Sequence, residues 1–159
     1  MKQFFKTGDS LQSLILRITL GVVMFPHGAQ KLLGWFGGRG FYATLDGFSA
    51  NLHIPVVLTL LVIAAEAFGS IGLILGCFTR LGAFGILCNM TGAIFLVHLP
   101  NGFFMNWFGA QKGEGFEYHL LAIAMAAALL ISGGGRYSVD GLIYNRFWGA
   151  RGGIGEPSQ

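Results

Sequence analysis

Long apolar runs separated by short polar or glycine-rich breaks dominate the chain. The first run, from about Leu14 to Phe36, is long enough at about 1.5 Å per residue to cross a hydrocarbon core of about 30 Å. Pro26 lies inside it and cannot donate to the Val22 carbonyl, so a kink is expected there. The second run opens at Pro55, a favoured first helical position, and continues to about Cys77. The third extends from about Leu81 to Leu99 and is stopped by Pro100-Asn101-Gly102; the fourth extends from about Phe116 to Ser132 and is stopped by Gly133-Gly134-Gly135. This pattern predicts an all-α polytopic membrane protein, an antiparallel bundle of about four transmembrane helices.

The breaks refine the topology. Only Phe78-Thr79-Arg80 separates the second and third runs, so those helices form a tight antiparallel hairpin. Between Gly37 and Ile54, Phe41, Leu45, Phe48 and Leu52 recur at helical spacing, which predicts an amphipathic helix lying in the interface. Phe103, Phe104, Trp107 and Phe108 give the third connection the same interfacial character, and both loops fall on one face of the membrane. The tail beyond Asp140 is polar and glycine-rich, and its last residues are expected to be disordered.

Composition strengthens the membrane reading. Of 159 residues, 53% are hydrophobic and 11% charged, against about a quarter charged in a soluble domain. Lys2 and Lys6 before an apolar run resemble a secretory leader, but no small-residue cleavage site follows, so the run reads as a retained span. The basic residues are scattered, which argues against a nucleic-acid partner. Counted by side, Lys2, Lys6, Arg17, Arg80, Arg136, Arg146 and Arg151 fall with the termini and Lys31, Arg39 and Lys112 fall opposite. That bias of seven against three places both termini in the cytoplasm. Arg17, near the cytoplasmic end of its run, is expected to snorkel to the headgroups. Cys77 and Cys88 form no C-x-x-C pair and no metal spacing. Gly8-Asp9-Ser10-Leu11 spells a hydrolase-like tetrapeptide without the strand-to-helix context that chemistry needs. Gly34-x-x-x-Gly38 and Gly72-x-x-x-Gly76 fit the small-residue packing motif of membrane helices.

Candidate chemistry lies in the ionisable residues within the apolar runs, where a charge costs about 2.5–3.5 kcal/mol at the bilayer centre and therefore needs a partner. Glu66 falls near the middle of the second run; His27 and Lys31, four apart on one helix face, are placed to meet it from the first. His98 ends the third run, and Glu117 and His119 open the fourth, nearer the rim. Glu66, His27 and Lys31 are the candidate catalytic residues, and His98, Glu117 and His119 the candidate ligand-binding ones. The same residues also admit plainer readings: a buried pair that fixes helix register, interfacial histidines, and a carboxylate complementing a helix dipole. Three histidines could also hold a metal, or two of them a haem iron, although no i, i+4 histidine pair or H-E-x-x-H motif is present.

Read in order, these residues resemble the DoxX-like membrane proteins. The resemblance is carried by Arg17, Gly21 and His27-Gly28-x-x-Lys31-Leu32, then by Glu66-x-x-Gly69-x-x-Gly72-Leu73-x-Leu75-Gly76 followed by Thr79-Arg80. It continues through the Met90 to His98 stretch and through Glu117 with Gly133-x-Gly135-x-Tyr137-Ser138-x-Asp140, so that it covers about Leu11 to Leu142. It implies a four-helix transmembrane domain over 1–142, a polar tail over 143–159 and a bacterial inner-membrane location. Relatives in that family are tied to a quinol oxidase assembly, to thiosulfate:quinone oxidoreduction and to quinone detoxification, and many carry oxidoreductase names without a defined reaction. The leading expectation is therefore a membrane-embedded, quinone-linked oxidoreductase subunit with a polar site in the outer half of the bundle. Its partners would be the lipid bilayer, a redox partner subunit and, left open, a second copy of the chain. A quinone is the expected cofactor, ahead of haem or a metal. A scaffold or assembly factor and a small-solute or proton transporter are the alternatives, and whether the chain is itself an enzyme stays open at this point.

Overall fold

A computed structural model describes residues 2–149. The described residues are helical with no strand: α1 Lys2–Phe5, α2 Leu11–Leu33, α3 Phe41–Leu52, α4 Val56–Leu75, α5 Thr79–Ala93, α6 Glu117–Ser132 and α7 Val139–Trp148. A π-helical turn, Ile94–His98, and a 3-10 turn, Leu99–Asn101, extend α5.

The helix limits follow from local chemistry. Ser10 caps α2, its side chain accepting from Ser13 N at 3.2 Å, and this accounts for the hydrolase-like tetrapeptide as a helix start. Gly34 closes α2 in the left-handed conformation at φ 74°, and Pro26 lies inside the helix without ending it. Pro55 stands one residue ahead of α4 as its N-cap, and Gly76 closes α4 at φ 67°.

Helices α2, α4, α5 and α6 close into a ring in which each packs on the next, and the α2–α6 seam is the loosest of the four. The core is small and smooth: Leu20, Met24, Leu73, Ala83, Ile86, Met90, Ala122, Ala126 and Leu129. Close approach depends on residues without bulk. A Cβ on Gly28 would fall 2.5 Å from the Ala67 backbone, and one on Gly82 would fall 2.9 Å from Gly69 O. Of the two glycine pairs, Gly76 makes room for the segment before α7, a Cβ there falling 2.5 Å from Ser138 Cβ, while the others serve their own turns. Gly34 and Gly38 lie in the turn after α2, and Gly72 faces the Cys77 carbonyl of its own hairpin.

Ile15, Leu61, Phe68, Phe84, Phe95 and Ile131 point outward, exposing apolar side chains around the bundle where acyl chains would solvate them. α2, α4 and the Thr79–Asn101 segment are long and apolar enough to cross a membrane. α6 is a shorter apolar helix of 16 residues that completes the ring. α3 is the helix expected between the first two runs; the 102–116 connection is irregular rather than helical, broken by Gly102, Gly109, Gly113 and Gly115.

Two features depart from the sequence reading. First, α7 runs past the boundary expected at residue 142. Ser138 caps it by accepting from Gly141 N at 3.1 Å, and Trp148 stacks on Phe5 at 6.4 Å, so this segment docks on α1. The final residues expected to be disordered lie outside the described residues. Second, Arg17 does not snorkel. It is 2% exposed, and its guanidinium donates to Gly134 O (2.9 Å), Leu73 O (3.1 Å), Ile74 O (2.5 Å), Arg136 O (3.2 Å) and Tyr137 O (2.8 Å). Free carbonyls at the end of α4 and in the 134–137 turn offer a planar fork more partners than the headgroups would, and carry the negative end of the helix dipole. Asp140 completes this lock, accepting from Phe78 N and Thr79 N, each at 2.8 Å, and so capping α5. Arg80 does for α6 what Arg17 does for α4, donating to Leu130 O at 2.9 Å and Ile131 O at 3.2 Å.

Candidate functional site

The bundle has a terminal end, where α1, α7 and the α4–α5 hairpin meet, and a loop end, formed by α3 and the 102–116 connection. The charged lock lies at the terminal end. The candidate site lies in the loop-end half.

Glu66 sits on the inner face of α4 and is 4% exposed. Its Oε2 accepts from Lys31 Nζ of α2 at 2.5 Å, and its Oε1 accepts from Asn89 Nδ2 of α5 at 2.5 Å. Both carboxylate oxygens are thus partnered from two different helices, as a charge out of water requires. Helix α2 can deliver Lys31 to this point because Gly28, one turn earlier, lets it lie directly against the Glu66–Ala67 backbone.

His27, expected beside Glu66, is on the same face but is not its hydrogen-bond partner. Lys31 takes that place, and His27 remains exposed at the bundle surface. Among the described residues His27 makes no hydrogen bond. α6 contributes Tyr118 and His119 from its first turn. Two buried polar atoms here lack a partner: Tyr118 OH and His119 Nδ1, the latter on a residue 6% exposed. The π turn ends at His98 and lays its ring against that of His119, centroids 4.1 Å apart. π turns inside α-helices often occur at functional sites.

The rim residues have other duties. His98 Nδ1 is 2.8 Å from Glu114 O, and Glu117 Oε1 accepts from Met105 N and Trp107 Nε1, both at 3.1 Å. Glu117 therefore pins the 102–116 loop. In contact with one another, the His98 and His119 rings leave no space between them for an iron and its macrocycle. Among the described residues no group of three His, Cys, Asp or Glu is arranged to hold a metal ion.

The structure pairs Lys31 with Glu66 and sets the His119 ring against that of His98, leaves His27 exposed on the face of α2 that carries Lys31, and uses Glu117 to hold the loop. Asn89, bonded to Glu66, and Tyr118, with its buried unpartnered hydroxyl, were not anticipated. Asn89 is the one amide in the third run, which is the signal that would have found it. Tyr118 stands between Glu117 and His119 and reads as one more interfacial aromatic.

The DoxX family model matches residues 12–99, which cover α2 to the π turn. A Bacillus subtilis protein named "Putative oxidoreductase CatD" is 26% identical over 129 residues, 81% of this chain and 83% of that protein. An uncharacterized protein of Haemophilus influenzae is 31% identical over 134 residues, 82% of this chain and 90% of that one. No solved structure matches the chain. The family match takes in more than half of the sequence, including Arg17, His27, Lys31, Glu66 and Asn89, and the chain belongs to the DoxX family of membrane proteins.

Proposed function

We propose that this protein is the membrane-embedded, quinone-binding component of an oxidoreductase, with its site at the loop-end half of the α2–α6 seam. The observation that carries the reading is the pair of unpartnered buried polar atoms, Tyr118 OH and His119 Nδ1, in the half of the bundle that also holds exposed His27 and the Lys31–Glu66 pair. Buried polar atoms are nearly always hydrogen-bonded, so an orphaned pair at a loose helix seam suits a ligand that accepts hydrogen bonds and arrives from the bilayer. A quinone headgroup has carbonyl acceptors on an apolar ring and dissolves in lipid. Tyr118 donates its hydroxyl proton to one carbonyl, and His119 in its Nδ1-protonated form, or His27, donates to the other. Quinone reduction takes up electrons together with an equal number of protons. Glu66 serves as the proton acceptor of the site, Lys31 and Asn89 fix its position, and the His119–His98 contact leads toward the rim. The electrons come from a redox partner subunit. The oxidoreductase name of the Bacillus subtilis relative supports the class of chemistry. The excess of Lys and Arg on the terminal side supports a bacterial cytoplasmic membrane with both termini inside, and α6 as the fourth span.

A second reading is favoured by one observation: Glu66 already has both oxygens satisfied, as a purely structural ion pair would. In that reading the chain is a membrane scaffold. Thermal unfolding of the purified protein with a short-chain ubiquinone analogue separates the two. The quinone reading expects a saturable rise in Tm that Tyr118→Phe abolishes and His27→Ala weakens. The scaffold reading expects no rise in the wild type and ordinary folding of Glu66→Gln.

A further inference from the structure

Away from the α2–α6 seam, a cleft of about 410 Å³ opens between the end of α2, the Gly34–Gly40 turn and α3. We propose that this cleft binds the phosphate-bearing headgroup of an anionic phospholipid in the leaflet at the loop end.

The cleft is built for an anion. Arg39 lines it with no Asp or Glu beside it, Lys31 lines it with its ammonium already held by Glu66, and Asp46, the carboxylate of α3, is not among its lining residues. Arg39 and Asn51 converge over Gly47, where a Cβ would lie 3.5 Å from Arg39 Nη1 and 3.9 Å from Asn51 Nδ2. Among the described residues neither Arg39 nor Asn51 donates a side-chain hydrogen bond inside the protein, so both sets of donors remain available to a ligand. A guanidinium fork and an amide together suit phosphate oxygens.

The walls are fixed in advance. Gln30 Nε2 donates to Phe36 O at 3.1 Å, and Gly40 N donates to Gln30 O at 3.1 Å. Thr44 Oγ1 donates to Gly40 O at 2.7 Å, which ties the first turn of α3 to the same loop. Gly38 packs so closely on the Gln30 backbone that a Cβ would overlap it. The cleft therefore does not depend on a ligand to form.

Position selects a lipid over a free ion. Trp35, Phe36 and Tyr42, in the same turn and helix as the lining residues, are exposed aromatic side chains of the kind that settle at headgroup depth. Phe48 and Leu52 line the apolar side, where the glycerol and first acyl carbons of a bound lipid would rest. A free anion gains nothing from either.

Purified protein in a neutral detergent, given phosphatidylglycerol, phosphatidylcholine of the same chains, or inorganic phosphate, tests the proposal by native mass spectrometry and thermal unfolding. Phosphatidylglycerol should be retained and should raise Tm in preference to phosphatidylcholine. Arg39→Ala should weaken that binding about tenfold, as loss of a charge-assisted fork implies. Arg39→Lys should keep part of it, and Asn51→Ala should reduce it less. Arg39 is exposed, so Arg39→Ala should fold normally and keep its response to quinone. Equal retention of the two lipids, or unchanged retention in Arg39→Ala, would overturn the proposal. Stabilisation by inorganic phosphate equal to that by phosphatidylglycerol would overturn the lipid assignment in favour of a free anion.

Discussion

Replacing Arg17 separates a buried lock from a snorkelling surface charge. In the fold its guanidinium donates to five carbonyls drawn from the end of α4 and the 134–137 turn. Summing about 1.5–3 kcal/mol per charged hydrogen bond would overshoot, because burying the guanidinium itself costs several kcal/mol. The quantity that matters is what Arg17→Ala leaves behind. Leu73 O keeps a second donor in Gly76 N at 3.2 Å, whereas the carbonyls of Ile74, Gly134, Arg136 and Tyr137 lose the guanidinium donor they share. Loss of the buried charge from such a network costs about 3–5 kcal/mol. Arg17→Lys keeps the charge but presents a point ammonium in place of a fork, and should cost about 2 kcal/mol. A snorkelling arginine would give changes within about 0.5 kcal/mol for either variant. Equilibrium unfolding in mixed micelles, followed by circular dichroism as the denaturing detergent fraction rises, measures the difference. An Arg17→Ala protein as stable as the wild type would refute the lock.

Three further outcomes follow from the structure. Arg136 grips Asp9 through two 2.8 Å hydrogen bonds and holds its carboxyl below the ordinary value of 3.8. A depressed carboxyl stabilises the fold above its unfolded value, so this contribution should be complete above about pH 4 and fade as pH falls further; an Asp9 resonance titrating at or above 3.8 would contradict it. Gly28→Ala should destabilise the α2–α4 contact by about 1–3 kcal/mol, because the new methyl meets the Ala67 backbone; an unchanged unfolding midpoint would contradict that packing. Burial, and then Asp140, raise the Cys77 thiol above its ordinary 9.0, so its alkylation rate should still be climbing with pH at 9; a plateau below that pH would contradict it.

The sequence made the bundle legible because bilayer thickness imposes lengths that apolar runs display openly. α2, α4 and α5 lie within a few residues of the expected segments, and the period of Phe41, Leu45, Phe48 and Leu52 located α3. It made the meeting of Lys31 with Glu66 legible because a carboxylate in an apolar run must find a cation, and Lys31 was one of the few in range. The sequence left His27 ambiguous, since two bases on one helix face compete for one acid, and which wins is set by the close approach at Gly28. Arg17 was misread because its partners are backbone carbonyls, which every residue carries and no pattern marks. α7 was missed because ten residues are too few to show a clear period, and its fastening depends on Asp140 reaching a hairpin 61 residues away in sequence.

The most direct measurement of the central claim is photolabelling with an azidoquinone in native-like bilayers, mapped by peptide mass spectrometry. Label should concentrate on the part of α2 around His27 and the first turns of α6 around Tyr118, excess unlabelled quinone should compete it away, and Tyr118→Phe should reduce it. Label spread evenly over the lipid-facing side chains, insensitive to competitor and to Tyr118→Phe, would contradict it.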